Sequence, residues 1–189
     1  SLKILMNELL KSYDLKLINR EALLPAPSSS FFDFVHYETS RNRMSNTRMN
    51  VLNTFWNNAF QELPFIQWKD LSEHGQSTQV FFKLSSHQRA QLKAFSLRNG
   101  FSLFQLIFTA YARTLHQLLN VKAILINTAI SGREAPVKEI ERIIGCFARN
   151  VAVRIDASDL EFIDDVKRVE ETFLKTVDHQ DIPPSKLIK

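Results

Sequence analysis

Between Ser102 and Asn120 the chain reads LFQLIFTAYARTLHQLL, apolar on nearly every side. A helix of that kind is expected to be buried. Ala123-Ile124-Leu125-Ile126 follows almost at once, apolar on both faces of a strand, which is the pattern of an interior strand. A buried helix delivered straight into an interior strand calls for helices layered on a sheet. The fold class expected is therefore α/β.

The flanking sequence supplies further elements. Leu2, Leu5, Met6, Leu9 and Tyr13 follow helical spacing from the first residue, so the stretch reads as cut from a longer chain. Pro25-Ala26-Pro27 and three serines break the chain before FFDFVHYE (31–38), a short aromatic helical segment. A helix is predicted over 47–61, with Val51, Leu52, Phe55, Trp56, Ala59 and Phe60 on one side, and an exposed loop over 69–77. Val80, Phe82 and Leu84 alternate as a strand. Ser85 with Gln88 and Ser102 with Gln105 are capping boxes opening two helices, and Gly100 is the stop between them. Ser158 and Glu161 are expected to cap a last helix, whose stripe is Ile163, Val166, Val169, Phe173 and Val177. So few strands for so many helices imply an incomplete sheet.

Composition removes several function classes. At 44% hydrophobic and 23% charged the chain is globular. Its net charge of +4 is scattered apart from Arg41, Arg43 and Arg48, which form either a patch for an acidic partner or a solvated helix start. No basic run is interleaved with aromatics, so nucleic-acid binding is not expected. No apolar run reaches membrane-spanning length, and one cysteine fits a reducing compartment, so the cytoplasm is expected. Cys146, between Gly145 and Phe147, reads as a packed thiol. With four glycines the chain carries no P-loop or dinucleotide fingerprint, and no metal site is expected from its histidine and cysteine spacing.

The richest segment is IGCFARNVAVR, 144–154. A glycine hinge feeds a strand with Ala148, Asn150, Ala152 and Arg154 on one face and Phe147, Val151, Val153 and Ile155 on the other. An amide and a guanidinium on the less apolar face suit the wall of a cavity or channel. Among the histidines, His74 and His87 read as surface residues, and His116 and His36 as packed ones. His179 follows the last helix directly and either caps it or acts as a base whose ring Asp181 holds.

Several segments, in order, resemble the condensation domains of nonribosomal peptide synthetases. SLKILMNEL resembles the helix that follows the family's H-H-x-x-x-D-G motif, where D-G-(W/F)-S runs into it. FFDFVHYE resembles Y-x-D-(F/Y)-A-x-W-Q, with Asp33 at the acidic position. The run from Ser102 through Arg133 resembles the family's long helix and the strand ending in a Gly-Arg turn, Gly132-Arg133. IGCFARNVAVR resembles I-G-x-F-V-N-T-x-x-x-R, and His179-Gln180-Asp181-Ile182-Pro183 resembles H-Q-D-Y-P. Arg149 stands at the family's Asn and Asn150 at its Thr, and Pro183-Pro184-Ser185 replaces P-F-E. Asn150 would take over the amide's role only through a one-residue strand shift, which also flips its face.

The resemblance implies a chloramphenicol-acetyltransferase-like layered α/β fold with two lobes. Residues 1–27 would be the junction helix and linker after the catalytic motif, and 28–189 the C-terminal subdomain, truncated at its end. It implies an acyltransferase-type reaction of antibiotic or siderophore biosynthesis, in which an acceptor aminoacyl amine attacks a donor thioester and an amide forms. Both substrates ride on phosphopantetheine arms of carrier proteins, with no bound cofactor or metal. The partners expected are carrier domains and the N-terminal half of the domain, with no nucleic acid or membrane. The catalytic histidine would lie upstream of Ser1, so this stretch by itself is expected to be inactive. Asn150 and Arg154 would line or brace the tunnel beside Gly145, Phe147 and Arg149, the alternative for Arg154 being a structural ion pair. Asp33, Gly132, Arg133, His179, Gln180 and Asp181 would be structural motif positions. Rival readings are an epimerisation, cyclisation or stand-alone acyltransferase relative, and a non-catalytic member that docks carrier proteins or tailoring enzymes.

Overall fold

The computed structural model of the chain describes residues 1–21, 24–41, 45–64 and 79–182. Along them run α1 (Leu2–Leu17), α2 (Phe31–Arg41), α3 (Asn46–Phe60), α4 (Ser86–Asn99), α5 (Leu103–Leu119), β1 (Ala123–Ile130), a 3₁₀ turn (Ile140–Arg142), β2 (Arg149–Asp156) and α6 (Phe162–Asp178). The expected loop over 69–77, with His74, lies outside the described residues, as do Arg43 and Pro183 to Ser185.

Among the described residues, β1 and β2 form a two-stranded sheet. They run antiparallel. Ala157 N–H donates to Lys122 O at 2.7 Å where β1 begins and β2 ends, while Gly132, just past β1, abuts the Phe147 carbonyl just before β2. The chain divides into two compact units, one of Ser1–Thr54, Thr128–Val151 and Gln180–Lys189, the other of Phe55–Asn127 and Ala152–His179.

The first unit is built on aromatic packing. Phe34, Ile140, Ile143 and Phe147 are buried together, with Phe31, Ala135 and Val137 against them. The rings of Phe31 and Phe34 meet Phe147 edge-on at 5.2 and 4.7 Å, the geometry that aromatic quadrupoles favour. α2 opens where Asp33 accepts hydrogen bonds from Ser30 N–H at 2.6 Å and Ser30 Oγ at 2.9 Å. The Ser30 amide, and then its hydroxyl, hold the Asp33 carboxyl below its ordinary value.

In the second unit α5 packs against α4 and α6. Phe101, Leu106 and Val166 form its buried centre, flanked by Leu92, Phe95 and Phe162. Both capping boxes form as expected, Ser85 with Gln88 and Ser102 with Gln105, and Gly100 ends α4 in the left-handed region at φ 72°. Each satisfies amides or carbonyls that a helix end leaves without partners. Asp165 is buried in the first turn of α6, paired with Arg168 at 2.7 Å and facing Arg113 at 3.6 Å.

Five expectations are corrected. The 80–84 segment is not a strand: it has no partner strand among the described residues, and Val80, Phe81 and Phe82 are 82–90% exposed. α5 is not buried all round, because Ile107, Tyr111 and Leu118 are each more than half exposed. The Ser158–Glu161 cap does not form: Glu161 is the N-cap with no side-chain bond, and Ser158 Oγ accepts from Leu160 N–H instead. Cys146 and His36 are exposed, since Phe147 and Phe34 beside them take the inward positions.

Candidate functional site

Most of the motif residues lie in the first unit, and two glycines decide how tightly they pack. Gly132 turns the chain after β1 at φ 68°; a Cβ there would overlap the Phe147 carbonyl oxygen and sit 2.9 Å from its carbon. Gly145 lies flat against the Phe31 ring, where a Cβ would fall 2.8 Å from Cε2. Only glycine permits both approaches. Arg133 then reaches back across the knot. Its guanidinium lies 4.1 Å over the Phe147 ring and donates to the Ile140 carbonyl and, at 3.0 Å, to the Ile143 carbonyl. The hydroxyl of Ser1 joins the same knot at Gly145. Ser1, Phe31, Gly132-Arg133 and Gly145-Phe147, far apart in sequence, are thus brought together.

A second cluster in this unit is ionic. Asp181 accepts from Arg41 Nε at 2.5 Å and from its Nη2, and from Arg48 Nε and Nη2 at 3.1 and 2.7 Å. Burial pushes the Asp181 carboxyl up, but hydrogen bonds from Arg48 and Arg41 outweigh it, and the group titrates below its ordinary value. The basic patch read at Arg41 and Arg48 is therefore turned onto an internal acid. Arg149 donates to Glu38 and, at 3.4 Å, to Gln180 Oε1, with its guanidinium 5.7 Å from the Phe34 ring. Arg149 thus ties α2, the start of β2 and the turn after α6.

The remaining sequence candidates are placed as follows. Asn150 is exposed, in the first unit. Arg154 is in the second, half-buried, where it donates to the Gln61 and Asn58 carbonyls at 2.5 and 3.3 Å and pairs with Asp156 at 2.9 Å. It closes the C-terminal end of α3, whose last carbonyls have no helical partners. His179 stacks on Phe55 at 4.0 Å; its Nδ1 lies 2.7 Å from the Lys175 carbonyl, and its own carbonyl accepts from Trp56 Nε1 at 3.1 Å. The ring is held by these groups, and the Asp181 carboxylate by its two arginines.

The second unit also holds a polar cleft of about 650 Å³, lined by Arg113, His116, Lys122, Asp156 and Arg168 among others. His116 Nδ1 lies 2.9 Å from the Val121 carbonyl, which fixes the ring at the end of α5. Sequence reading missed Ser1 and Glu38 as parts of the site. Nothing in composition singles out either one; only their place in the two quoted motifs would have.

The sequence model of the Condensation domain family matches residues 1–189. One linear gramicidin synthase protein of Brevibacillus parabrevis is 36% identical over 99 residues, 52% of this chain and 2% of that protein. A second protein of the same synthase is 25% identical over 196 residues, covering 100% of this chain and 4% of its own length. Among solved structures, the SgcC5 protein from Streptomyces globisporus superposes with a TM-score of 0.78 at 23% identity, covering 99% of this chain and 42% of its own. The likeness in structure shows the fold, which is chloramphenicol-acetyltransferase-like. The chain spans a few per cent of these synthase proteins and about two fifths of the solved relative.

Proposed function

This chain belongs to the condensation-domain family, and we propose that it is the C-terminal portion of a domain that forms amide bonds in a nonribosomal peptide synthetase. Residues 1–27 would be the junction after the catalytic motif and 28–189 the C-terminal subdomain. In this reading the donor thioester and acceptor amine arrive on phosphopantetheine arms of carrier proteins, as substrates. The amine nitrogen attacks the thioester carbonyl, the C–N bond forms, and the carrier thiol leaves. The portion seen here supplies the floor and wall against which the two arms align, so its contribution is orientation. The histidine that handles the amine proton would precede Ser1. A cytoplasmic location accompanies this reading; among the described residues no helix is long and apolar enough to cross a membrane.

One observation carries the proposal: residues matching separate family motifs, Ser1, Phe31, Gly132-Arg133 and Gly145-Phe147, pack into a single knot. Tunnel roles for Asn150 and, separately, Arg154 are part of the proposal, with Gly145, Phe147 and Arg149 near Asn150 in sequence. The test is amide formation from two loaded carriers, comparing the intact domain, its variant lacking the motif histidine, and residues 1–189 alone. Turnover by the intact domain only supports the reading. Turnover that survives loss of the histidine, or an inert intact domain, refutes it.

A second reading, a non-catalytic docking member, is favoured by Arg149 at the family's Asn position. An intact domain that binds carriers yet never forms the amide would decide for it.

A further inference from the structure

Ser1 sits at the N-cap of α1, where a serine hydroxyl ordinarily accepts from an amide of the first helical turn. It makes no such bond. Its Oγ instead donates to the Gly145 carbonyl at 2.6 Å and accepts from Gly145 N–H at 3.1 Å. A third bond arrives from Arg133 Nη2 at 3.3 Å. A hydroxyl has one proton to give and two lone pairs to share, so its whole capacity is spent away from its own helix.

The receiving end is rigid. Gly145 is pressed against Phe31, and Arg133 is fixed over Phe147 and on the Ile140 and Ile143 carbonyls. A cap residue that forgoes its local bond for a distant one breaks the local rule at a place where function is expected to impose it.

We propose that Ser1 is a positioning residue for condensation. Its hydroxyl pins the chain entering α1 to the 143–147 segment, and so fixes the catalytic segment that the family places immediately before this serine against the wall formed by β2. This rests on the reading under Proposed function. The consequence is that the reacting geometry depends on one side chain that touches neither substrate.

The experiment uses the intact domain with Ser1→Gly, Ser1→Ala and Ser1→Thr. Glycine keeps nearly all of the capping value of the position and loses the three bonds, whereas threonine keeps the hydroxyl. Ser1→Gly is expected to lower kcat about 10- to 100-fold, the scale of a misplacement near 1 Å, with KM for both carriers held within about twofold. Ser1→Ala should match it, and Ser1→Thr should recover to within about threefold of wild type. Exchange of the Gly145 amide should accelerate at least about tenfold in Ser1→Gly, because a protecting bond is gone.

Wild-type kcat in Ser1→Gly overturns the positioning role, as does a Ser1→Thr variant no better than Ser1→Gly, or a kcat loss that only follows loss of folded protein. Unchanged protection of the Gly145 amide overturns the tether itself. An intact wild-type domain that forms no amide overturns the condensation reading and the positioning role with it. A turning-over domain indifferent to Ser1 overturns the inference alone.

Discussion

Replacing Gly132 with alanine, beside the same change at Gly100, separates backbone strain from collision in one protein. Both glycines are left-handed, at φ 68° and 72°. A Cβ on Gly100 meets nothing within 4 Å; one on Gly132 overlaps the Phe147 carbonyl oxygen and lies 2.9 Å from its carbon. Alanine in the left-handed region costs about 1–2 kcal/mol, and the stiffer unfolded chain returns about 0.4–1. Gly100→Ala should therefore cost about 1 kcal/mol.

Gly132→Ala carries that cost and must also push the turn off the start of β2. Overpacking costs about 1–3 kcal/mol. The displacement also loosens Phe147 beneath Arg133, so a total of about 3–4 kcal/mol is expected, combining strain and overpacking. With a urea slope of about 2 kcal/mol/M the midpoint would fall by roughly 1.5–2 M for Gly132→Ala and roughly 0.5 M for Gly100→Ala. The assay is equilibrium urea unfolding of the intact domain, followed by tryptophan fluorescence and circular dichroism. Equal midpoints for the two variants would show that the Gly132 turn is not packed against Phe147 as described.

Three more outcomes are expected. Glu38→Gln and Arg149→Asn should each destabilise, and the double variant should lose less than their sum by about 1 kcal/mol, the coupling of a half-exposed ion pair; strict additivity would show that the pair does not interact. Glu139 accepts from Ser28 N–H at 2.6 Å and from Arg142, and the Ser28 amide leads in drawing its carboxyl from 4.5 down to about 2. The stabilisation it gives is complete above about pH 4.5 and is lost as the pH falls toward 2; carbon-detected NMR should find that low midpoint, and Ser28→Pro should raise it toward the ordinary range but leave it below, since Arg142 still pairs with the carboxylate. Arg154→Ala should loosen the C-terminal turn of α3, seen as faster amide exchange, at about 1–2 kcal/mol for the lost charged hydrogen bonds; condensation turnover left untouched in that variant would refute a tunnel role for Arg154.

Local chemistry made most of the helices legible. Capping boxes at Ser85 and Ser102 and the glycine stop at Gly100 are short-range devices, complete within a few residues, and they form as read. Where the outcome depended on distant partners, reading failed. Val80, Phe82 and Leu84 alternate as a strand should, yet a strand exists only when another pairs with it. Cys146 sits in an apolar neighbourhood in sequence, but Phe147 takes the inward position. The site was legible as motifs and illegible as contacts. Arg149 drew notice as a departure, and its partner Glu38 lies 111 positions away.

The bare Val80-Phe81-Phe82 triplet has a practical consequence for handling the protein. Exposed large apolar side chains on a backbone with no partner strand among the described residues offer both stickiness and open hydrogen-bonding groups, the combination that recruits other molecules edge to edge. Residues 1–189 made alone should precipitate or form assemblies as concentration rises. A lysine in place of Phe81 should keep such preparations clear.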